Sequence, residues 1–225
     1  MNIGLNIGHF GTVGAVGYLD EVTLNHEVYN ALKPKLERAG HNVISCNDAT
    51  PKDYVSATKL ANKHNLDLVI SIHFNSSSNA SATGTEVLYS LGSKKGKEYA
   101  EGLSIAISET LGVKNRGAKA RADVYILNKT KAVCVLIEPL FVTNKEDTEK
   151  YSAEKISDAI AEYFGYIATK ELTEINDIVW ELYARGIISD RNLWLKKLKT
   201  DIYSYWLARK CANKLRERGG GGGRF

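Results

Sequence analysis

The chain has little sulfur to cross-link or to bind metal with. Its three cysteines, Cys46, Cys134 and Cys211, stand far apart with no CxxC pair in 225 residues. That pattern excludes a disulfide framework and a cysteine zinc site, leaving buried or incidental thiols. No apolar run exceeds strand length, so no transmembrane helix is expected. The N-terminus, Met-Asn-Ile-Gly-Leu-Asn-Ile-Gly-His, lacks a basic segment followed by an apolar one. It reads as a first core strand and not as a secretory signal, so any extracytoplasmic role needs another export route. A GxxxxGK[ST] phosphate loop is missing, and Gly11, Gly14 and Gly17 lack the spacing and immediate helix of a dinucleotide fingerprint.

What is present is ordinary soluble-protein composition, 44% hydrophobic and 25% charged, with enough length for one substantial core and a small appendage. The net charge of +4 is unevenly placed. Residues 1–169 hold 18 Lys/Arg against 19 Asp/Glu (−1), whereas residues 170–225 hold 12 against 7 (+5). The basic excess of the C-terminal piece suits an anionic partner such as cell-wall polymer, nucleic acid or membrane surface, or else a solvated helix surface.

Through about residue 165, strand-like and helix-like segments alternate. Strands are expected at 2–8, 41–46, 67–74, 86–90 and 132–138, with an edge strand at Tyr125-Ile126-Leu127. Helices are expected at about 20–39 (stopped by Gly40), 54–65 and 95–111, and a final one within 146–169 on the stripe Ile156, Ile160, Tyr163, Ile167. This alternation predicts an α/β fold, a twisted and mostly parallel sheet flanked by helices. The runs at 68–72 and 132–137 are apolar on both faces, the mark of interior strands. After Leu172 the strand signal ends. Residues 174–184 form an amphipathic helix, 185–190 a turn with Ser189 or Asp190 as cap, and a second helical region carries Leu193, Trp194, Leu198, Trp206 and Cys211. A small all-α domain over 169–218 is therefore expected after a catalytic domain at 1–168. The glycine-rich tail 219–225 cannot order itself.

Three strand-like runs end in a candidate ligand or acid: 3–7 leads to Gly8-His9, 68–72 to His73, and 132–137 to Glu138. Ligands of an open parallel sheet bind outside the carboxyl ends of its strands, so these residues are expected in one crevice. A catalytic zinc takes three protein ligands, and His9 and His73 supply two. For the third, Glu21 and Glu27 compete on the first helix. At about 100° per residue, Glu21 falls on the buried stripe of Leu24, Val28, Leu32, Leu36 and Ala39, while Glu27 lies about 110° away towards solvent. A carboxylate on the core face needs a partner, which favours Glu21 as ligand. Glu138 ends an almost wholly apolar strand and suits a general base that passes its proton to a leaving amine, or else a fourth ligand. His26, His41 and His64 read as surface residues.

With these residues in hand, the chain resembles the type 3 N-acetylmuramoyl-L-alanine amidases, zinc enzymes of bacterial cell walls and phage endolysins. The matching pieces are Gly8-His9 with Gly14-Ala15-Val16-Gly17, Glu21 with Leu24-Asn25, and Ser71-Ile72-His73-Phe74-Asn75. They continue with Gly84-Thr85-Glu86-Val87-Leu88-Tyr89, Asn115-Arg116-Gly117-Ala118-Lys119, and Leu136-Ile137-Glu138-Pro139 through Asn144. The resemblance spans about residues 1–167; Asn6-Ile7 replaces the usual Asp-Pro before Gly-His. It implies Zn2+ held by His9, Glu21 and His73, Glu138 as catalytic glutamate, and Asn75 and Arg116 orienting substrate. The implied partner is peptidoglycan and not nucleic acid, with cleavage between N-acetylmuramic acid and L-alanine. The C-terminal helices are similar to small wall-targeting modules, implying binding of anionic cell-wall polymer or a homodimer interface. An endolysin made in the host cytoplasm and released by a holin-type route is expected. Alternatives are a host autolysin or mother-cell lysis amidase, a non-catalytic wall-binding protein on the same scaffold, and a glycosidase using Glu21 and Glu138.

Overall fold

The computed structural model describes residues 1–9, 13–47, 53–165, 178–179, 181–200, 207–212 and 214. The chain separates into two compact units, Met1–Ala161 and Glu162–Phe225. The first holds a six-stranded sheet in the order β2-β1-β3-β6-β4-β5. Its strands are β1 (Asn2–Ile7), β2 (Asn42–Ser45), β3 (Leu68–Ile72), β4 (Thr85–Ser90), β5 (Asn115–Arg121) and β6 (Val133–Glu138). β2, β1, β3 and β6 are mutually parallel. β4 runs antiparallel to β6, and β5 runs parallel to β4. The amino ends of β4 and β5 therefore lie at the same edge as the carboxyl ends of β1, β3 and β6.

Local chemistry fixes the helices. α1 (Glu21–Arg38) starts where Asp20 accepts the Thr23 N–H at 2.8 Å, so Glu21 is its first residue. Its stripe Leu24, Val28, Leu32 and Leu36 is buried, while Ala39 is half-buried. Lys35, also buried, reaches Glu154 at 2.7 Å and Asp158 at 2.6 Å, which tethers α1 to a distant helix. α2 (Asp53–Ala61) and α4 (Tyr125–Lys129) meet each other and cover Val69, Leu88, Cys134 and Leu136 of the sheet. α3 (Lys94–Leu111) begins at a Ser93 cap and ends at Gly112, whose left-handed φ of 65° suits glycine. β3 is buried along its whole length, as an interior strand must be.

Two sequence expectations need correction. Tyr125-Ile126-Leu127 is not an edge strand but the core of α4, with Ile126 and Leu127 buried and the turn closed by Thr130 Oγ1 donating to the Ile126 carbonyl. Three apolar residues in a row do not distinguish strand from helix. The edge strand next to β4 is β5, Asn-Arg-Gly-Ala-Lys-Ala-Arg, whose charge blunts an exposed edge and also hides the strand pattern. The single helix expected within 146–169 is two, α5 (Lys145–Glu149) and α6 (Ala153–Tyr163). Ile156, Ile160 and Tyr163 are buried as expected, and Ile167 lies outside the described residues.

In the second unit, residues 178–179, 181–184 and 207–212 are helical, as is α7 (Arg191–Thr200). Asp190 accepts the Leu193 N–H at 3.0 Å and so caps α7. Residues 174–177 of the helix expected at 174–184, together with Trp180, Trp206 and the glycine tail, lie outside the described residues. No helix among the described residues is long and apolar enough to cross a membrane.

Candidate metal centre

The end of β1 is drawn tightly against the end of β3. The Gly8 N–H donates to the Ile72 carbonyl at 2.8 Å, and the Asn25 amide donates to the Gly8 carbonyl at 2.7 Å. A Cβ on Gly8 would sit 2.4 Å from the His73 ring and 2.5 Å from the Ile72 carbonyl oxygen, so only glycine allows this approach. The next residue, His9, adopts φ 61°, in the left-handed region that residues other than glycine seldom occupy. Asn6 accepts from Ser71 Oγ at 2.7 Å and so ties β1 to β3.

His73 follows β3 and donates its backbone N–H to the Ile137 carbonyl at 3.0 Å. Glu21 points back from the first turn of α1 between the two imidazoles and is 3% exposed. Its Oε1 lies 3.3 Å from His9 Nε2 and 3.1 Å from His73 Nδ1, and accepts the Phe74 N–H at 3.1 Å. Its Oε2 accepts the Ala15 N–H at 2.8 Å. The two rings stand 4.8 Å apart, edge to face. One ligand atom from each of His9, Glu21 and His73 lies within 4.8 Å of the others. Burial alone would raise the Glu21 pKa. Hydrogen bonds with His73 and His9, the His73 charge and the Ala15 N–H outweigh it and hold the carboxyl well below the usual range. Two imidazole nitrogens and one ionised carboxylate meeting on one point form a donor set that fits a catalytic zinc with an open position.

Glu138 ends β6, one residue beyond the carbonyl that holds His73. Its Oε2 is buried with no hydrogen-bond partner. Burial, then the charges of Glu21 and Glu86, push its pKa well above the ordinary glutamate value, against a weaker pull from Arg121. Such a group holds a proton where other carboxyls have lost theirs.

Sequence reasoning missed Glu86. Its carboxylate accepts Asn75 Nδ2 at 2.8 Å on Oε1 and Arg116 Nε at 2.7 Å on Oε2. Glu86 also stands opposite Glu138 in the antiparallel register of β4 and β6. Asp147 was missed too. It is 1% exposed and accepts the Gly84 and Phe141 N–H groups, each at 3.0 Å, pinning the loop after β6 to the start of β4. Neither acid sits at the carboxyl end of a strand, the signal that exposed the others. His26 and His64 are exposed as expected, and His41 is half-buried beside the N-terminal ammonium.

A family model described as N-acetylmuramoyl-L-alanine amidase matches residues 3–165. The chain belongs to this amidase family. The catalytic domain of an endolysin that targets Clostridium difficile is 35% identical and superposes with a TM-score of 0.63, over 72% of this chain and 95% of that one. An uncharacterized protein of Clostridium perfringens is 37% identical over 186 residues, 77% of this chain and 53% of the relative. The N-acetylmuramoyl-L-alanine amidase LytC of Bacillus subtilis is 29% identical over 153 residues, covering 66% of this chain and 31% of LytC. The chain thus spans about half the length of the Clostridium perfringens relative. All four acids and imidazoles expected from sequence lie inside the amidase-family match.

Two outcomes are expected of this amidase-family chain. Gly8→Ala displaces the His73 ring and lowers zinc affinity by about tenfold or more, measured by competition with a chromophoric chelator, while the far-ultraviolet circular dichroism stays unchanged. For Glu138, a raised folded pKa gives a stability contribution present in full below the ordinary glutamate range and lost as pH rises through the folded pKa. Glu138→Gln should therefore raise the thermal midpoint of the chelated protein at pH 7 and change it much less at pH 4.

Proposed function

We propose that the chain is a zinc-dependent N-acetylmuramoyl-L-alanine amidase, hydrolysing the amide between the lactyl group of N-acetylmuramic acid and L-alanine of peptidoglycan. The observation that carries this reading is the meeting of His9, Glu21 and His73 next to a buried, unpartnered Glu138 oxygen. Zinc on this donor set would supply Lewis acidity, acidifying a water and polarising the amide carbonyl. Glu138 takes the proton of the attacking water and delivers it to the alanine nitrogen as the C–N bond breaks. Its apolar surroundings keep the acid form available for the second half of that transfer. Asn25, Phe74 and Ala15 hold the ligands in place through the Gly8 carbonyl and both Glu21 oxygens. That engagement of both oxygens disfavours a glycosidase, in which Glu21 would itself donate a proton or attack.

Similarity to an endolysin catalytic domain supports a lytic role towards bacterial wall. The C-terminal unit, basic overall and with Tyr183, Ile187, Leu193 and Leu207 exposed, is assigned to holding anionic wall polymer or a second copy of the chain.

Digestion of purified peptidoglycan tests the reading. New L-alanine amino termini should accumulate, stop with chelator and return with zinc. Glu138→Gln should keep its zinc and lose about a thousandfold or more in turnover, whereas Glu21→Ala should lose zinc. Release of reducing sugar, insensitive to chelator, would overturn the assignment.

A further inference from the structure

Arg116 has a geometry that a purely structural ion pair does not need. Its Nε donates to Glu86 Oε2 at 2.7 Å, and its guanidinium lies 4.9 Å from the centre of the Phe141 ring. Phe141 is itself buried and held by Asp147. The Arg116 side chain is nonetheless 31% exposed. Among the described residues, its two terminal nitrogens meet no carboxylate. A guanidinium pinned through Nε and through one face is ordered before any ligand arrives, with its Nη edge left to accept a planar, bidentate anion. Placement follows from the sheet. Arg116 and Glu86 start β5 and β4, which run against β6, so they share the edge where His73 and Glu138 end their strands. Asn75, whose amide donates to Glu86 Oε1, links the same carboxylate to the loop that follows His73.

The reaction proposed above says what anion is available. In intact peptidoglycan the lactyl carboxyl of the muramic acid is tied up in the scissile amide, and the sugars beside it are neutral. A carboxylate near the cleaved bond must then come from the peptide. Resting on that reading, we infer that Arg116 binds a stem-peptide carboxylate and that Glu86 is the positioning residue that aims it, with Asn75 acting through Glu86. The chain thereby discriminates acidic from amidated stem peptides.

The test uses N-acetylmuramoyl-L-alanyl-D-glutamate and its diamide, which differ only in the carboxylates. Calorimetric titration of the zinc-loaded full chain, in the Glu138→Gln background that cannot turn substrate over, should give about tenfold tighter binding of the diacid. Arg116→Gln should abolish that ratio by weakening the diacid alone, Arg116→Lys should keep part of it, and Glu86→Gln should shrink it with zinc content unchanged. In the active chain, Arg116→Gln should raise KM for the diacid and leave kcat within about twofold. Equal affinity of the parent for diacid and diamide, or an unchanged ratio in Arg116→Gln, overturns the inference. If purified peptidoglycan yields no new L-alanine amino termini but the Arg116-dependent ratio persists, the amidase reaction is rejected and the carboxylate site stands.

Discussion

The structure turns on one buried carboxylate. Glu21 is placed by the Asp20 cap at the first turn of α1, on the helix face that enters the core. There it receives two backbone N–H groups and two imidazoles. An ionised carboxylate in that position would be untenable without such partners. With them it becomes the point on which distant segments converge. The strained backbone of His9, the bare Cα of Gly8 and the Asn25 bond to the Gly8 carbonyl all serve the same approach of β1 to β3.

The second constraint is strand direction. A wholly parallel sheet would place the start of β4 at the far edge from the site. Because β4 and β5 reverse, Glu86 and Arg116 arrive beside Glu138 and the loop carrying Asn75. The negative charge of Glu86 contributes to keeping Glu138 protonated, while its hydrogen bonds order the side chains on either side. One acid thus joins the electrostatics of Glu138 to the geometry of Arg116 and Asn75. The buried carboxylates divide by environment: hydrogen bonds and the His73 charge hold the Glu21 carboxyl below the usual range, while burial and the charges of Glu21 and Glu86 push that of Glu138 above it.

Strand-end residues were legible in the sequence because an ionisable group after an apolar run has no bland explanation. His9, His73 and Glu138 all carried that signal. Helix phase separated Glu21, buried, from Glu27, exposed and bonded by the Tyr151 hydroxyl. The parts that stayed hidden depend on long-range pairing. Lys35 is buried only because Glu154 and Asp158 meet it from more than a hundred residues away. The direction of β4 leaves no mark in Thr-Glu-Val-Leu-Tyr-Ser, so Glu86 reads as one more surface acid. β5 is too polar to show a strand pattern, and the short apolar run of α4 suits either conformation until Cys134 and Leu136 are seen beneath it.

The central claim is that His9, Glu21 and His73 share one divalent ion. Zinc K-edge X-ray absorption of the full chain loaded with one equivalent of zinc tests it most directly. The account predicts a first shell of light atoms with the outer-shell scattering of two imidazoles, both lost in a His9→Ala, His73→Ala double variant. Sulfur in the first shell, or a spectrum unchanged by that double substitution, would contradict it.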